Sequence, residues 1–301
     1  MGKKNLMNIE LQNFIQFNPK ETLPKGSVAK KIPMEMLKPH TRKIIGYEKN
    51  IYSTGAKFRN KDTLLAKITP CLENGKTAQV DILEDNEIAF GSTEFIVLRS
   101  IENISDSDFI YYLSKSPSFR KKAISCMEGT SGRKRVNEKT LKEQILPVPI
   151  DIEKQKNIAQ LLLKIDNKIE LNNKINAELE KLAKTLYDYW FVQFDFPDEN
   201  NRPYKSSGGK MYCDEKCNKM IPIDWKIQNL NKNDLTQIIQ PGIDKFENEK
   251  NYLPTANIQD DKIVDFSNKI TFENRESRAN MQPKSNSVWF AKMKNSKKIL
   301  Y

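Results

Sequence analysis

DIEKQKNIAQLLLKIDNKIELNNKINAELEKLAKTLYDYWFVQF, residues 151–194, decides the architecture. Apolar residues recur at Ile158, Leu161, Leu162, Ile165, Ile169, Ile175, Leu179, Leu182, Leu186, Tyr189 and Trp190, with no Gly or Pro among them. This spacing predicts a long helix with one apolar stripe. Pro147 and Pro149 close off what precedes it, Asp151 suits an N-cap, and Pro197 stops it. About 40 residues at 1.5 Å each make a rod of roughly 60 Å. Such a stripe cannot be buried by its own helix, so a partner helix is expected against Ile158, Leu162, Ile165, Asn172, Leu179, Leu182 and Leu186. Asn172 falls on the seam one heptad from Ile165 and from Leu179, with Asn176 beside it. A polar residue there lowers stability and fixes register or partner number.

The length of 301 residues leaves room for two domains around this rod. The net charge is +11, unevenly placed: residues 1–150 carry 25 Lys/Arg against 17 Asp/Glu, and residues 151–196 carry 7 against 8. A basic globular part on a neutral spacer points to an anionic partner, with nucleic acid foremost. No apolar run approaches membrane-spanning length, so a cytoplasmic, membrane-free protein is expected. Cys71, Cys126, Cys213 and Cys217 do not make a disulfide framework, and with His40 the only histidine no zinc site is expected.

Along the chain, strand-like runs occupy 64–68, 77–83, 87–90 and 94–100, with an Asn74-Gly75 turn signal between the first two. Helical patterns follow at 105–116 and from Ser116-Pro117 to Met127, then a basic loop at 129–136, a short helix from Asn137 and the strand-like ILPVP. Strands and helices mix without regular alternation, so the fold class is α+β. The expected domains are 1–150, a rod over 151–196, a polar connector over 197–221 and a second globular unit over 222–301. That second unit echoes the first: Ile32-Pro33 followed by Leu64-Leu65-Ala66 matches Leu253-Pro254 followed by Trp289-Phe290-Ala291, with Pro-to-Ala intervals of 33 and 37 residues. The first copy continues from Ala66 to Ile150, whereas the chain ends 10 residues after Ala291, so the second copy is expected to be C-terminally incomplete.

ITPCLENGKTAQV (68–80), GSTEFIVLR (91–99), QILPVPIDIEKQKNIAQLL (144–162), LNNKINAELEKLAKTLYDYWFVQFDFP (171–197) and KSSGGKM (205–211) together resemble the DNA specificity subunit of type I restriction-modification systems. The resemblance covers nearly the whole chain. It implies two target-recognition domains separated by long antiparallel helices, each domain reading half of a split double-stranded DNA site. It also implies docking of S-adenosylmethionine-dependent adenine methyltransferase subunits on the helices, with a motor-nuclease subunit joining for restriction. The cofactor would belong to the methyltransferase, and none is expected in this chain. The resemblance departs at the C-terminus, where the end of the second recognition domain and a second helix are absent, so a homodimer through residues 151–194 is expected to supply the missing partner helix.

The residues suit this role. GTSGRKRV sets Arg133, Lys134 and Arg135 beside Thr130 and Ser131 on a glycine-flexed loop, the chemistry of a phosphate clamp. Lys67, Thr69, Asn74 and Lys76 form a second polar cluster around a tight turn. In GSTEF, Ser92 and Thr93 suit phosphate or base, and Glu94 suits a cytosine amino group. No nucleophile motif surrounds His40, and Gly208-Gly209-Lys210 lacks the rest of a P-loop, so the chain is not expected to be an enzyme. The alternative from another class is a coiled-coil interaction protein whose basic domain binds RNA or a protein partner.

Overall fold

In a computed structural model of the chain, four consecutive residues, Thr63–Ala66, are all buried, and this strand sits at the centre of the first unit. Residues 6–130, 132–215, 218–231 and 233–300 are described. The chain divides into two compact units, Met1–Thr185 and Leu186–Tyr301.

The strands of the first unit are β1 (Leu6–Glu10), β2 (Ile15–Phe17), β3 (Val28–Ile32), β4 (Glu48–Ile51), β5 (Lys57–Phe58), β6 (Thr63–Ala66), β7 (Thr77–Gln79), β8 (Ala89–Gly91), β9 (Phe95–Ser100), β10 (Met127–Glu128), β11 (Arg135–Val136) and β12 (Ile145–Pro149). Its helices are α1 (Ser107–Lys115), α2 (Pro117–Ser125), α3 (Glu138–Lys142) and α4 (Ile152–Tyr187). One antiparallel sheet runs β2-β9-β6-β7, and a second runs β4-β3-β8-β5, where β3 and β8 are parallel. The period-two alternation of a strand divides the core between two layers. Leu65, Ile96 and Leu98 face the cluster that includes Phe109, Phe119 and Ala123 of α1 and α2. Leu64, Phe95 and Val97 face the opposite cluster with Ile32, Phe58 and Ala89 of the second sheet. The first sheet is thus covered by helices on one side and by strands on the other.

The helix starts follow the capping chemistry of the sequence. Asp106 accepts the N–H of Phe109 at 2.8 Å, and Ser116 accepts that of Phe119 at 3.2 Å with Pro117 in the first turn. Asn137 accepts from Lys139 and Thr140. α2 ends at Ser125 rather than Met127, because Met127 is drawn into β10.

At the foot of α4, Asp151 accepts the N–H of Glu153 at 3.0 Å. At 36 residues the α-helix is about 54 Å long. It ends at Tyr187, short of the expected 196, and passes into a π turn at Asp188–Val192. Phe194 then takes a left-handed φ of 64°, which no helix continues through. One face of α4 belongs to the domain: Gln155 and Ala159 are buried, Asp166 accepts from the Tyr112 hydroxyl at 2.8 Å, and Glu170 accepts from Lys43 Nζ at 2.9 Å. Of the expected seam, Ile158, Ile165, Asn172, Leu179, Leu182 and Leu186 are exposed, and Leu162 is half-buried.

In the second unit the stretch 197–221, read as a polar connector, is ordered. β13 (Met211–Asp214) pairs with β14 (Lys219–Pro222), and Pro197 bridges Pro203. Trp225 organises it, stacking on Phe196 at 5.6 Å and meeting Phe194 edge-on at 5.3 Å, while Phe196 stacks on Tyr204. The GG of KSSGGKM has a reason here: a Cβ on Gly209 would lie 2.5 Å from the Tyr204 ring. Cys217 lies outside the described residues, and Cys213 is exposed.

The two segments aligned in sequence share backbone bonds. Pro33 and Pro254 each open a 3-10 turn with extended geometry, and the residue three places on donates back to the proline carbonyl, at 3.1 and 2.9 Å. Leu37 then bridges Ile44 as Ile258 bridges Ile263. Ile45 donates to Met36 as Val264 donates to Asn257. Ala66 N–H reaches Lys76 O, and Ala291 N–H reaches Lys298 O, both at 3.1 Å.

Candidate nucleic-acid interface

The three polar stretches singled out in the sequence meet on one surface of the first unit. The connector between β6 and β7 and the basic β10–β11 turn are tied by backbone bonds. Thr69 N–H donates to Lys134 O at 3.0 Å, Val136 N–H donates to Lys67 O at 2.9 Å, and Ile68 bridges Arg135. Lys67 N–H donates in turn to Glu94 O at 2.9 Å, which joins the GSTEF turn. Segments far apart in sequence thereby become one platform.

Not every nominated side chain is free to act. Lys76 donates to Met34 O at 3.1 Å and is half-buried. Lys67 lies 3.8 Å from Glu138. Both therefore serve the fold first. The Thr69 hydroxyl faces Met127 Sδ at 3.9 Å. Asn74, Thr93, Thr130, Arg133 and Lys134 are exposed. Ser131 lies outside the described residues. Ser92 Oγ accepts the N–H of Glu94 at 3.1 Å, and with Thr93 it lines a shallow polar hollow shared with Lys31, Asn50, Ser53 and Thr54.

Glu94 and Arg135, nominated separately, hold each other. Arg135 Nε donates to Glu94 Oε1 and Oε2 at 2.9 Å, and Nη2 donates to Oε1 at 2.8 Å. The guanidinium bond holds the Glu94 carboxyl below its ordinary range. Glu94 therefore spends most of its acceptor capacity on Arg135.

Sequence reasoning missed a second cationic group beside the Asn74 turn. Arg120 of α2 donates to Leu72 O at 3.3 Å and Glu73 O at 2.9 Å, and Lys115 Nζ donates to His40 O at 3.1 Å. Burial lowers the Lys115 ammonium from its ordinary range. His40 is held by its N–H to Gly75 O at 3.1 Å, and a Cβ on Gly75 would lie 2.5 Å from its ring. Gly75 also has a φ of 74°, so the turn needs glycine twice over. Nothing local in the sequence marks these contacts, which join residues 35 to 75 positions apart. Among the described residues no group of three or more His, Cys, Asp or Glu could hold a metal ion, and no helix is long and apolar enough to cross a membrane.

A family model described as the type I restriction modification DNA specificity domain matches residues 3–181. The specificity subunit of the type I restriction enzyme EcoAI from Escherichia coli is 33% identical over 132 residues, which is 43% of this chain and 22% of that protein. The HindI specificity subunit from Haemophilus influenzae is 33% identical over 139 residues, 46% of this chain and 29% of that protein. The matched regions span less than a third of these relatives. The crystal structure of the HsdS subunit from Thermoanaerobacter tengcongensis is similar at a TM-score of 0.46 and 17% identity, covering 65% of this chain and 51% of that one.

Proposed function

Since this chain belongs to the type I restriction modification DNA specificity family, we propose that it is the DNA-recognition subunit of a methyltransferase and endonuclease assembly. In this reading it binds a split double-stranded site and directs adenine methylation and restriction to it. It supplies recognition and no catalysis. The observation that carries the reading is the convergence of three polar loops on one face of the matched domain, with Arg133 and Lys134 exposed and without an acidic partner among the described residues. Phosphate contacts set register and base edges set sequence, and the platform offers groups for both.

The exposed stripe of α4 supports the second half of the proposal. Ile158, Ile165, Leu179, Leu182 and Leu186 stand in water along one line, and covering them is favourable by roughly 1.5–3 kcal/mol per fully buried side chain. The methyltransferase subunits, which carry the S-adenosylmethionine, dock there, and the motor-nuclease subunit joins them. Without them a second copy of this chain covers the stripe, with Asn172 and Asn176 pairing across a two-fold axis. About 54 Å of helix corresponds to roughly 16 base pairs at 3.4 Å each, enough to place two half-sites on successive turns of one DNA face. The backbone bonds shared by the Pro33 and Pro254 segments support reading part of the second unit as a further recognition domain. The place of work is the cytoplasm, where such an assembly meets DNA.

The test is duplex binding by the chain co-purified with its methyltransferase across a salt series. A steep linear fall of log affinity with log salt is expected, because neutralised phosphates release counterions. A flat dependence, or equal preference for RNA, contradicts the proposal.

A further inference from the structure

We infer that Arg135 reads the edge of a guanine base, with its guanidinium plane fixed by Glu94, rather than closing on phosphate together with Arg133 and Lys134. The inference rests on the DNA-binding reading above and deepens it.

Three observations separate Arg135 from its neighbours. The first is charge. Arg135 is paired in two-pronged fashion with Glu94, so the pair is close to neutral and contributes little to attraction of phosphate. Arg133 and Lys134 have no acidic partner among the described residues. The second is rigidity. Arg135 lies on β11 opposite Glu128, it bridges Ile68 on its other side, and its neighbours Lys134 and Val136 are bonded to Thr69 and Lys67. Val136 is anchored in the core. A phosphate contact tolerates a mobile side chain, whereas reading a base edge needs a fixed one. The third is donor count. Glu94 takes Nε–H and one N–H of Nη2, which leaves the other N–H of Nη2 and both of Nη1. That end-on pair is the fork that meets O6 and N7 of guanine. The side chain remains half exposed, so the fork is accessible.

The experiment uses the full chain with its methyltransferase and a duplex carrying its recognition site. Each guanine in turn is replaced by 7-deazaguanine, which lacks the N7 acceptor and keeps its pairing face. In the unaltered protein, one replacement is expected to weaken binding about tenfold, the size of the single charge-assisted hydrogen bond to N7 that it removes. Arg135→Ala and Arg135→Lys are both expected to abolish that sensitivity while leaving the salt slope nearly unchanged. Glu94→Gln is expected to steepen the slope by about one unit, as a freed guanidinium turns to phosphate, and to narrow base discrimination. The inference is overturned if Arg135→Ala weakens all duplexes alike and flattens the slope, if 7-deazaguanine sensitivity persists in Arg135→Ala, or if the site has no sensitive guanine. Unchanged binding throughout would make the pair purely structural and overturn it too. Failure of the unaltered protein to bind any duplex would remove the DNA-binding reading itself.

Discussion

At the foot of the long helix, the side-chain carbonyl of Gln155 accepts the backbone N–H of Asp106, the N-cap of α1, at 2.8 Å. The same amide donates to Ile104 O at 3.0 Å and Pro149 O at 2.9 Å, and it is fully buried. One side chain thus ties helix, strand end and helix cap. With Ala159 in the core, this sets the direction in which α4 leaves the domain.

Gln155→Ala is therefore expected to destabilise the first unit by about 2–4 kcal/mol, because it strands a buried N–H and two carbonyls. The melting temperature should fall by roughly 5–15 °C, read by thermal unfolding. An unchanged transition would remove the staple from the account.

Leu179 and Leu182 are 56% and 53% exposed. Changing both to Asp should abolish co-purification with the methyltransferase and self-association through residues 151–194, with the first unit still folded. Sedimentation at tens of micromolar (a rough working concentration) checks the second half: a dimer before the change and a monomer after. A monomer before the change contradicts the self-association.

The helix was legible because its apolar spacing is local, and so were its N-cap at Asp151 and the helix start at Ser116-Pro117. Its other face was not. Gln155, Asp166 and Glu170 look like solvated polar positions until Asp106, Tyr112 and Lys43 are brought beside them by the fold. The same holds at the interface. The sequence marked three polar loops by composition, but composition cannot show that Lys76 turns inward to Met34 or that Glu94 meets Arg135 across 41 residues. The stretch 197–221 looked like a connector because its composition is polar, and composition shows neither the β13–β14 pairing nor the stacking of Tyr204 and Trp225 on Phe196.

Arg133→Ala with Lys134→Ala, leaving Arg135 in place, should weaken binding to all duplexes similarly. The slope of log affinity against log salt should shrink by about 2, close to one unit per phosphate released. The ranking of sequences should not change. Loss of ranking would show that these two side chains touch bases.

Glu94 also sets a pH expectation. Its carboxyl is depressed by the Arg135 guanidinium, so the pair is fully formed above the ordinary glutamate value of 4.5 and is lost only as pH falls through the lowered one. Base discrimination at the Arg135 position should therefore stay constant from about pH 8 down to about pH 5, near which an unperturbed Glu begins to titrate. A decline already between pH 7 and pH 6, roughly, would place another group in control.

If the proposed function holds, this chain chooses the DNA sites of its assembly. Methylome sequencing of cells with and without the chain, the methyltransferase being present in both, tests it most directly. The expected result is methylated adenines in one motif of two short specified blocks around an unspecified spacer, all lost without the chain. A methylome that is the same in both cells, or a motif without a spacer, would contradict it.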